Sequence, residues 1–389
     1  MLITDSAALA AFCAQLQGAP YIAVDTEFLR ERTYYAQLCL VQVAFGEHAA
    51  AIDPLAKGLD LAPLKALLCD PAILKVLHAS GQDLEIFFQL LGIVPGPVFD
   101  TQIAAAACGH GEQAGYAALV REILGIELDK ASQATNWAQR PLQPRQITYA
   151  IGDVTHLCKV YERLVSDLER TGRNAWVAED MAGLMQEGRY VVNPEMAYKR
   201  IRIRGADRQA LAIARGAAAW RERMAVARNL PRPWVLHDDA IAEIALHAPD
   251  DREQLGRVRA LKDGFARGAD GLALLSVVRE AQAEPPEHWP TPPERRAPRR
   301  GHEALVTLLQ ALLRLRCEAN DVAMSMVASR EDLERIATET EPDIATLKGW
   351  RRAVFGADAL ALRDGRLALT GCDGGVAALT DSDRSCTIP

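Results

Sequence analysis

The sequence lacks several features that would place it in a common class of protein. No stretch approaches the roughly 20 apolar residues that a membrane-spanning helix needs. No basic region precedes an apolar run at the N-terminus, so neither a membrane span nor a signal peptide is predicted. The eight cysteines form no C-x-x-C pair, which argues against a zinc site and favours a reducing, cytoplasmic setting. The phosphate-loop pattern G-x-x-x-x-G-K-[ST] is also absent.

Positive charge is scarce overall but concentrated in one segment. The net charge is −7 over 389 residues. Residues 1–195 carry 14 Lys/Arg against 23 Asp/Glu, whereas residues 196–232 carry 10 Lys/Arg against 2 Asp/Glu. This basic segment, residues 196–232, is either a surface that faces phosphates or a solvated helix face with a linker. The sequence leaves both interpretations open.

The length and the residue pattern predict several domains. A chain of 389 residues is too long for one ordinary core. Short β-rich runs such as "YIAVDTEF", "LCLVQVAF" and "AAAID" follow each other closely, as in an antiparallel meander. Longer connections with helical patterns come next, and strands mixed with crossing helices indicate an α/β layer fold with a partly parallel sheet. Beyond residue 205 the pattern is helical up to the C-terminal tail.

The predicted organisation has five parts. They are an α/β domain at 1–195, a helical domain at 205–285, a stiff linker rich in proline and arginine at 286–300, a second helical domain at 301–370 and a flexible tail at 371–389.

Two acids interrupt the apolar run "YIAVDTEF". Asp25 and Glu27 are two positions apart, so on a strand both carboxylates project from one face. Two carboxylates this close repel each other, and a divalent cation with oxygen ligands relieves the repulsion. Taken alone, the pair is a weak signal, because surface acids are common. The cation interpretation needs further ligands from elsewhere in the chain.

Two further acids supply candidate ligands. Asp83 lies in "HASGQDLEIFF", where a strand gives way to a helix, although the helix dipole alone also favours an acid there. Asp153 follows Tyr149 by four residues in "YAIGDV", which places a phenol beside a carboxylate on one helix face. An ordinary half-buried pair is the alternative for Tyr149 and Asp153.

The order of these motifs resembles a known family. "VDTEF", "HASGQDLEIF" and "YAIGDV" resemble the three exonuclease motifs of the DEDD superfamily, tyrosine subclass. "DTEFLRERTYYAQLCLVQV" and "LGIELDKASQATNWAQRPLQPRQITYAIGDVTHL" resemble the ribonuclease D family, and "AAAWRERMAVARNLPRPWVLHDDAIAEIALHAP" resembles an HRDC domain. The likeness is close over about 1–200 and weak over 300–370. It implies a ribonuclease H-like mixed-sheet exonuclease domain followed by two all-α HRDC-type domains.

The resemblance also implies an activity. Asp25, Glu27, Asp83 and Asp153 become ligands of two divalent cations, Mg²⁺ or Mn²⁺, held about 3.5–4 Å apart. In that scheme Asp25 is shared, Glu27 and Asp153 complete the site of the water-activating ion, and Asp83 holds the second ion. Tyr149 orients or deprotonates the attacking water.

The implied reaction is 3′–5′ trimming of tRNA precursors and other structured RNAs, with release of nucleoside 5′-monophosphates. A DNA 3′–5′ exonuclease and a non-catalytic RNA-binding scaffold are the alternatives. A monomer without membrane contact is expected.

Substrate contacts are less specific in the sequence. Phe28 either wedges against the terminal base or packs in the core. Gln37 follows Tyr34 and Tyr35, whose rings either stack on bases or pack on the sheet. A further pair, in "NWAQRPL", lies close enough to the Tyr149 helix to reach the phosphate backbone: Trp137 and Arg140. His78 is expected to be a core histidine.

Overall fold

The structure, a computed structural model, describes residues 1–129, 135–292, 302–372 and 374–380. Residues 293–300 of the predicted linker and 381–389 of the predicted tail lie outside these ranges.

Six of the eight strands in the described residues form one mixed sheet in the order β1-β4-β3-β2-β5-β6. Strands β2, β3 and β4 pair antiparallel, whereas β1 pairs parallel with β4, β2 with β5, and β5 with β6. This confirms the predicted meander and the partly parallel sheet. The strands are Leu2–Ile3 (β1), Tyr21–Leu29 (β2), Gln37–Phe45 (β3), His48–Ile52 (β4), Leu74–Leu77 (β5), Val98–Asp100 (β6), Leu367–Cys372 (β7) and Gly375–Thr380 (β8).

Helices cover both faces of the sheet and provide the regular secondary structure of the described residues between 205 and 366. The α-helices are Ser6–Gln15 (α1), Ala62–Cys69 (α2), Gly81–Leu91 (α3), Thr101–Ala107 (α4), Tyr116–Leu124 (α5), Pro144–Thr171 (α6), Asn174–Leu184 (α7), Arg208–Arg228 (α8), Arg232–Val235 (α9), Asp238–His247 (α10), Arg252–Gly256 (α11), Ala269–Ala283 (α12), His302–Ala319 (α13), Met324–Val327 (α14), Arg330–Thr338 (α15), Gly349–Arg351 (α16) and Ala357–Arg363 (α17). A π-helical turn at Arg352–Gly356 joins α16 to α17.

Strand β2 sends alternate side chains to two different cores. Tyr21 and Ala23 pack in the core that contains α4, α5 and α6. Ile22 and Val24 pack in the core that contains α1, α2 and α3. Because successive side chains on a strand alternate between faces, the residues after Val24 continue the pattern. The two acids of β2 therefore face α6, and Thr26 faces α3.

The first helical region, α8–α12, is fastened to the α/β domain by the loop after β2. Tyr34 is only 5% exposed and joins the core of α8, α10 and α12. The Asn229 side-chain oxygen accepts hydrogen bonds from the backbone nitrogens of Tyr34 and Tyr35 at 3.1 and 3.2 Å. Base stacking by Tyr34 is therefore wrong, since its ring is enclosed by protein. The structure favours packing, but on this helical region and not on the sheet.

The second helical region, α13–α17, shares a hydrophobic core with the α6 face of the sheet. Trp176 of α7 stacks on Trp350 of α16, with ring centroids 4.3 Å apart and planes 4° from parallel. Arg173 donates to the carbonyl oxygens of Ala107 and Asp321 at 2.7 and 2.8 Å. This region is therefore packed directly onto the α/β domain.

Two boundary predictions need correction. Strand β8 pairs antiparallel with β7, so a flexible tail from residue 371 is wrong up to residue 380, because backbone hydrogen bonds order this hairpin. The predicted linker begins with a 3₁₀ turn at Pro286–His288. Arg208 of α8 donates to the Trp289 carbonyl oxygen at 3.0 Å, which ties the start of the linker to the first helical region. The other boundaries stay predictions.

Candidate active site

Three of the four predicted acids meet at one point between the sheet and α6. Ligand atoms of Asp25, Glu27 and Asp153 all lie within 4.8 Å of one another. Asp25 and Glu27 lie on the face of β2 that meets α6. Asp153 lies in the first half of that helix and is buried. The i, i+2 spacing on the strand is what brings the first two together.

The fourth acid approaches from the other side of β2. Asp83 is buried in the first turn of α3, and its carboxylate accepts a hydrogen bond from the Thr26 hydroxyl. Thr26 lies between Asp25 and Glu27 in the sequence but on the opposite face of the strand. Asp83 therefore sits beside the three-acid group without joining it, and its charge still raises the pKa of Glu27.

A buried carboxylate orders the turn that delivers Asp83. Asp100 accepts hydrogen bonds from the Ala79 and Ser80 backbone nitrogens at 3.1 and 2.8 Å, and from the Ser80 hydroxyl and the Gln102 nitrogen at 2.8 Å. Ala79 has φ 54°, in the left-handed region, which costs about 1 kcal/mol for a residue with a Cβ. The three hydrogen bonds to Ala79 and Ser80 hold this turn and so fix where α3 begins, while the fourth caps α4.

The four acids repel one another in a poorly solvated site. Burial, then the charge of Asp153, raises the pKa of Asp25 to about 7. Burial, then Asp25, raises the pKa of Glu27 to about 9 and that of Asp83 to about 8. Burial also raises the pKa of Asp153 to about 7, although the Tyr149 hydroxyl opposes this. In the described part of the chain no lysine or arginine forms an ion pair with any of the four.

This donor set suits a hard divalent cation. All the converging groups are carboxylate oxygens, which are the ligands that Mg²⁺ and Mn²⁺ prefer. Burial and mutual repulsion raise their pKa values, and no basic side chain of the described residues forms an ion pair with them. A bound cation would remove the repulsion that protonation otherwise relieves.

Tyr149 lies half-buried one turn before Asp153 on α6. Burial, followed by the charges of Asp153 and Glu27, raises the pKa of the Tyr149 hydroxyl well above its usual range. The hydroxyl therefore stays protonated at neutral pH. It is suited to donating a hydrogen bond, and not to removing a proton from water.

Two predicted substrate contacts have structural roles instead. Trp137 is 2% exposed and packs beside Tyr149, with ring centroids 6.2 Å apart, so it is too enclosed to reach a phosphate. Arg140 donates to both Asp53 carboxylate oxygens at 2.6 Å and to the carbonyl oxygens of Trp137, Gln139 and Cys39 at 2.7, 2.9 and 2.8 Å. All five donors of the guanidinium are used, so the predicted phosphate contacts of both residues are wrong.

Arg140 also stabilises an irregularity of β3, opposite the acids of β2. Glu27 pairs with Leu40 and Phe28 pairs with Leu38, so Cys39 is an extra residue in β3. This is a β-bulge, and Arg140 binds the carbonyl oxygen of the bulged residue. The arginine thus stabilises the sheet where the acidic face ends.

Phe28 and Gln37 lie at the edge of the site. Phe28 is half-buried, on the α3 side of β2, and packs against the core of α1–α3. Gln37 is exposed at the start of β3, opposite Leu29. His78 is half-buried, with Nδ1 2.9 Å from the Thr101 hydroxyl, which agrees with a core histidine.

Gln42 is a residue that the sequence analysis overlooked. It lies directly opposite Asp25 in the β2–β3 ladder, so both side chains share one face. Its side chain is 0% exposed, and within the described residues neither amide atom has a hydrogen-bond partner. The signal was available, since Gln42 is the one polar residue inside "LCLVQVAF". Tyr116, which donates to the Asp153 carbonyl oxygen, carried no such signal.

No helix of the described ranges combines the length and the apolar character that crossing a bilayer requires. Two family models match the chain. One, described as a 3′-5′ exonuclease, matches residues 1–169, and the other, the HRDC domain, matches residues 210–278. The first match covers all four acids and Tyr149.

Similar proteins extend along nearly the whole chain. Ribonuclease D of Gluconacetobacter diazotrophicus is 46% identical over 96% of this chain and 95% of its own length. Ribonuclease D of Granulibacter bethesdensis is 47% identical over 96% of this chain and 94% of its own length. The crystal structure of Escherichia coli RNase D, described as an exoribonuclease involved in structured RNA processing, superposes with a TM-score of 0.80 at 34% identity, over 94% of this chain and 98% of that one.

Proposed function

The chain belongs to the ribonuclease D family and is a 3′–5′ exoribonuclease; from this premise we propose that Asp25, Glu27, Asp83, Asp153 and Tyr149 are its active-site residues. The observation that carries this assignment is the convergence of three carboxylates within 4.8 Å. Their raised pKa values, without a basic partner in the described residues, are typical of a functional site and support the assignment.

The acids would hold divalent cations, Mg²⁺ or Mn²⁺. Such ions, when bound, neutralise charge on the scissile phosphodiester and lower the pKa of the attacking water. Asp25, Glu27 and Asp153 are the ligands brought together by β2 and α6. The Thr26 hydroxyl donates a hydrogen bond to Asp83 and so holds this fourth carboxylate beside the other three.

Tyr149 positions the water in this proposal. Its hydroxyl stays protonated and points along the helix face that carries Asp153. Tyr149→Phe should therefore slow turnover without abolishing it, and the alkaline side of the pH–rate profile should not move. A profile that loses an ionisation on removal of the hydroxyl would assign Tyr149 as the base instead.

Gln42 supports the site from the neighbouring strand. Its amide faces the same side of the sheet as Asp25 and lacks a partner in the described residues. A buried amide without a hydrogen bond is unfavourable by about 1–3 kcal/mol. We assign it to orienting Asp25 or water in the loaded site.

We infer that the substrates are structured RNAs, above all tRNA precursors, trimmed from the 3′ end to nucleoside 5′-monophosphates. The support is the likeness to Escherichia coli RNase D, whose structure is described in terms of structured RNA processing. Phe28 and Gln37 stay predicted substrate contacts. The monomeric state and the cytoplasmic location also stay predictions.

A direct assay tests the proposal. The protein is incubated with 3′-extended tRNA and, separately, with single-stranded DNA, in Mg²⁺, in Mn²⁺ and in EDTA. We expect 5′-monophosphates from the RNA only when a divalent cation is present, and none from Asp25→Asn. Preferential degradation of DNA would support a DNA exonuclease, and binding without any cleavage would support a scaffold.

A further inference from the structure

The basic segment, residues 196–232, divides into two kinds of cation. Six of its ten basic residues are bound to other protein groups. Arg232 binds Glu222, Arg228 binds Asp270, Arg221 binds Asp238, Arg223 binds Glu195, Arg215 binds Glu284 and Arg208 binds the Trp289 carbonyl oxygen. Five of these six partners are carboxylates, so the charges of these arginines are largely neutralised. Their bonds stabilise the first helical region.

The other four are free of protein partners. Lys199, Arg200, Arg202 and Arg204 are all exposed, and their side chains form no hydrogen bond or ion pair within the described residues. They follow one another over six positions between α7 and α8, in and just after a 3₁₀ segment at Pro194–Arg200. Four unpaired cations in so short a stretch create a strong local positive potential.

Two of the four cations line a cleft between the two domains. A cavity of about 820 Å³ lies between the end of β2 and the first helical region, and Lys199 and Arg200 line it. Its remaining charges are largely internal pairs, such as Arg232 with Glu222 and Arg221 with Asp238. Arg189 also lines the cleft, and its side chain has no partner within the described residues.

The balance of unpaired charge in the cleft is positive. Lys199, Arg200 and Arg189 face a single unpaired carboxylate, Asp239. Arg202 and Arg204 are exposed and follow Arg200 by two and four positions, so they add positive charge near this end of the cleft. A polyanion is therefore the ligand class that this cleft favours.

The cleft begins where the catalytic strand ends. Arg30 lines it, and Arg30 follows Glu27 by three residues, about 10 Å along an extended chain. A strand of RNA with its 3′ terminal phosphodiester at the acids would thus have its preceding nucleotides next to this opening. Phosphate contacts there fix register and carry no sequence information.

We propose that Lys199, Arg200, Arg202 and Arg204, together with Arg189, form a binding surface for the RNA backbone upstream of the scissile bond. This rests on the proposed function, because the direction of the strand follows from 3′ cleavage at the acids. The six paired arginines of the same segment are not part of the surface. The basic segment thus contains six arginines with structural partners and four basic residues that are available to RNA.

The test compares two charge-matched sets of substitutions in the full-length chain carrying Asp25→Asn, so that RNA is bound and not degraded. One set is Lys199→Gln, Arg200→Gln, Arg202→Gln and Arg204→Gln. The control set neutralises exposed arginines whose pairs are solvent-screened, Arg121→Gln, Arg163→Gln, Arg257→Gln and Arg330→Gln. Dissociation constants are measured for a 20-nucleotide RNA and for a dinucleotide over a salt series.

We expect the first set to weaken binding of the long RNA on the order of 10-fold or more, and to reduce the salt slope by about 3, since each single-strand phosphate contact contributes about 0.7. The control set should leave both quantities unchanged. Equal weakening by both sets, or equal losses for the long RNA and the dinucleotide, would overturn the proposed surface. The nuclease activity itself is tested separately: if the parent chain cleaves no RNA, the proposed function is wrong, whatever the binding measurements show.

Discussion

Carboxylates stand in two contrasting environments among the described residues: the acidic cluster of Asp25, Glu27, Asp83 and Asp153, and the paired cluster of Glu222 with Arg232 and Tyr34. At the junction with the first helical region, Glu222 accepts from Arg232 at 2.5–3.0 Å and from the Tyr34 hydroxyl. Burial alone would raise the pKa of Glu222, but these bonds and the charges of Arg232 and Arg221 outweigh it, so the pKa lies below its usual range. In the acidic cluster no such partner is present among the described residues, and every pKa rises.

This contrast separates structural charge from functional charge. A buried carboxylate with a guanidinium partner is explained by the fold, because the pair satisfies itself. Carboxylates that face one another without a partner destabilise the fold and need a further reason. The same criterion divides the basic segment into paired and unpaired arginines. In each case the unsatisfied groups lie where RNA and cations would bind.

The largest expected effect is on catalysis. Asp25→Asn removes a central ligand and should abolish detectable turnover, a loss of at least about 1,000-fold in kcat, while RNA binding stays largely intact. Removing one of several repelling charges should also raise the melting temperature of the metal-free protein. Kinetics and thermal denaturation on the same samples check both. Turnover near the parent rate in Mg²⁺ would contradict the assignment.

The opposite result is expected in the paired cluster. Arg232→Gln leaves Glu222, with a side chain 1% exposed, without its guanidinium and should destabilise the protein by about 3 kcal/mol. Urea denaturation measures the loss. Glu222→Gln serves as the comparison and should cost less, since it leaves no buried charge. Equal stability of Arg232→Gln and the parent chain would remove the contrast between the two clusters.

A smaller effect is expected at Gln42. Gln42→Leu keeps the volume but removes the amide opposite Asp25, and should lower kcat about 10-fold with little change in KM. The metal-free protein should be as stable as the parent or more so, because an unsatisfied amide is gone. Metal titration by calorimetry and steady-state kinetics separate the two effects. Unchanged kcat would show that Gln42 is only a core residue.

The mildest expected effect is on the pH dependence of stability. The pKa values of about 7 to 9 for the four acids lie above the unfolded values near 4. The folded state therefore holds protons more tightly, and this contribution is fully present below pH 4 and lost as pH rises through about 7 to 9. In EDTA the melting temperature should fall by about 5 °C between pH 6 and pH 9.

Divalent cations should reverse most of that fall, because they replace the protons. The matched control is Asp25→Asn combined with Asp83→Asn, in which the pH dependence should flatten. A melting temperature in EDTA that rises over this interval would show that the acids are compensated by groups of the protein.

Much of this arrangement could be predicted from the sequence, because it depends on local periodicity. The i, i+2 acids on β2 and the i, i+4 pair on α6 are fixed by strand and helix geometry, and the meander follows from short β-rich runs. Arg140 could not be predicted, since its carboxylate partner Asp53 is 87 positions away. A sequence shows that an arginine is present but not which acceptors surround it.

Tyr34 illustrates the same limit. Its position after the catalytic strand left base stacking and sheet packing open, yet its partners come from α8 and α9, about 190 residues later. Gln42 is the opposite case, because a lone amide inside an apolar strand was as visible as the two acids. A polar side chain inside a buried apolar strand is therefore a candidate site residue, because the strand offers it no hydrogen-bond partner.

The stacked indoles of Trp176 and Trp350 have an optical consequence. Parallel rings with centroids 4.3 Å apart cover one face of each other, so each indole would meet a more polar environment if the rings separated. One indole belongs to the helix next to the nuclease sheet and the other to the second helical region. Tryptophan fluorescence should therefore change when these parts separate. The molecule carries its own reporter of that contact, and no label is needed to follow it.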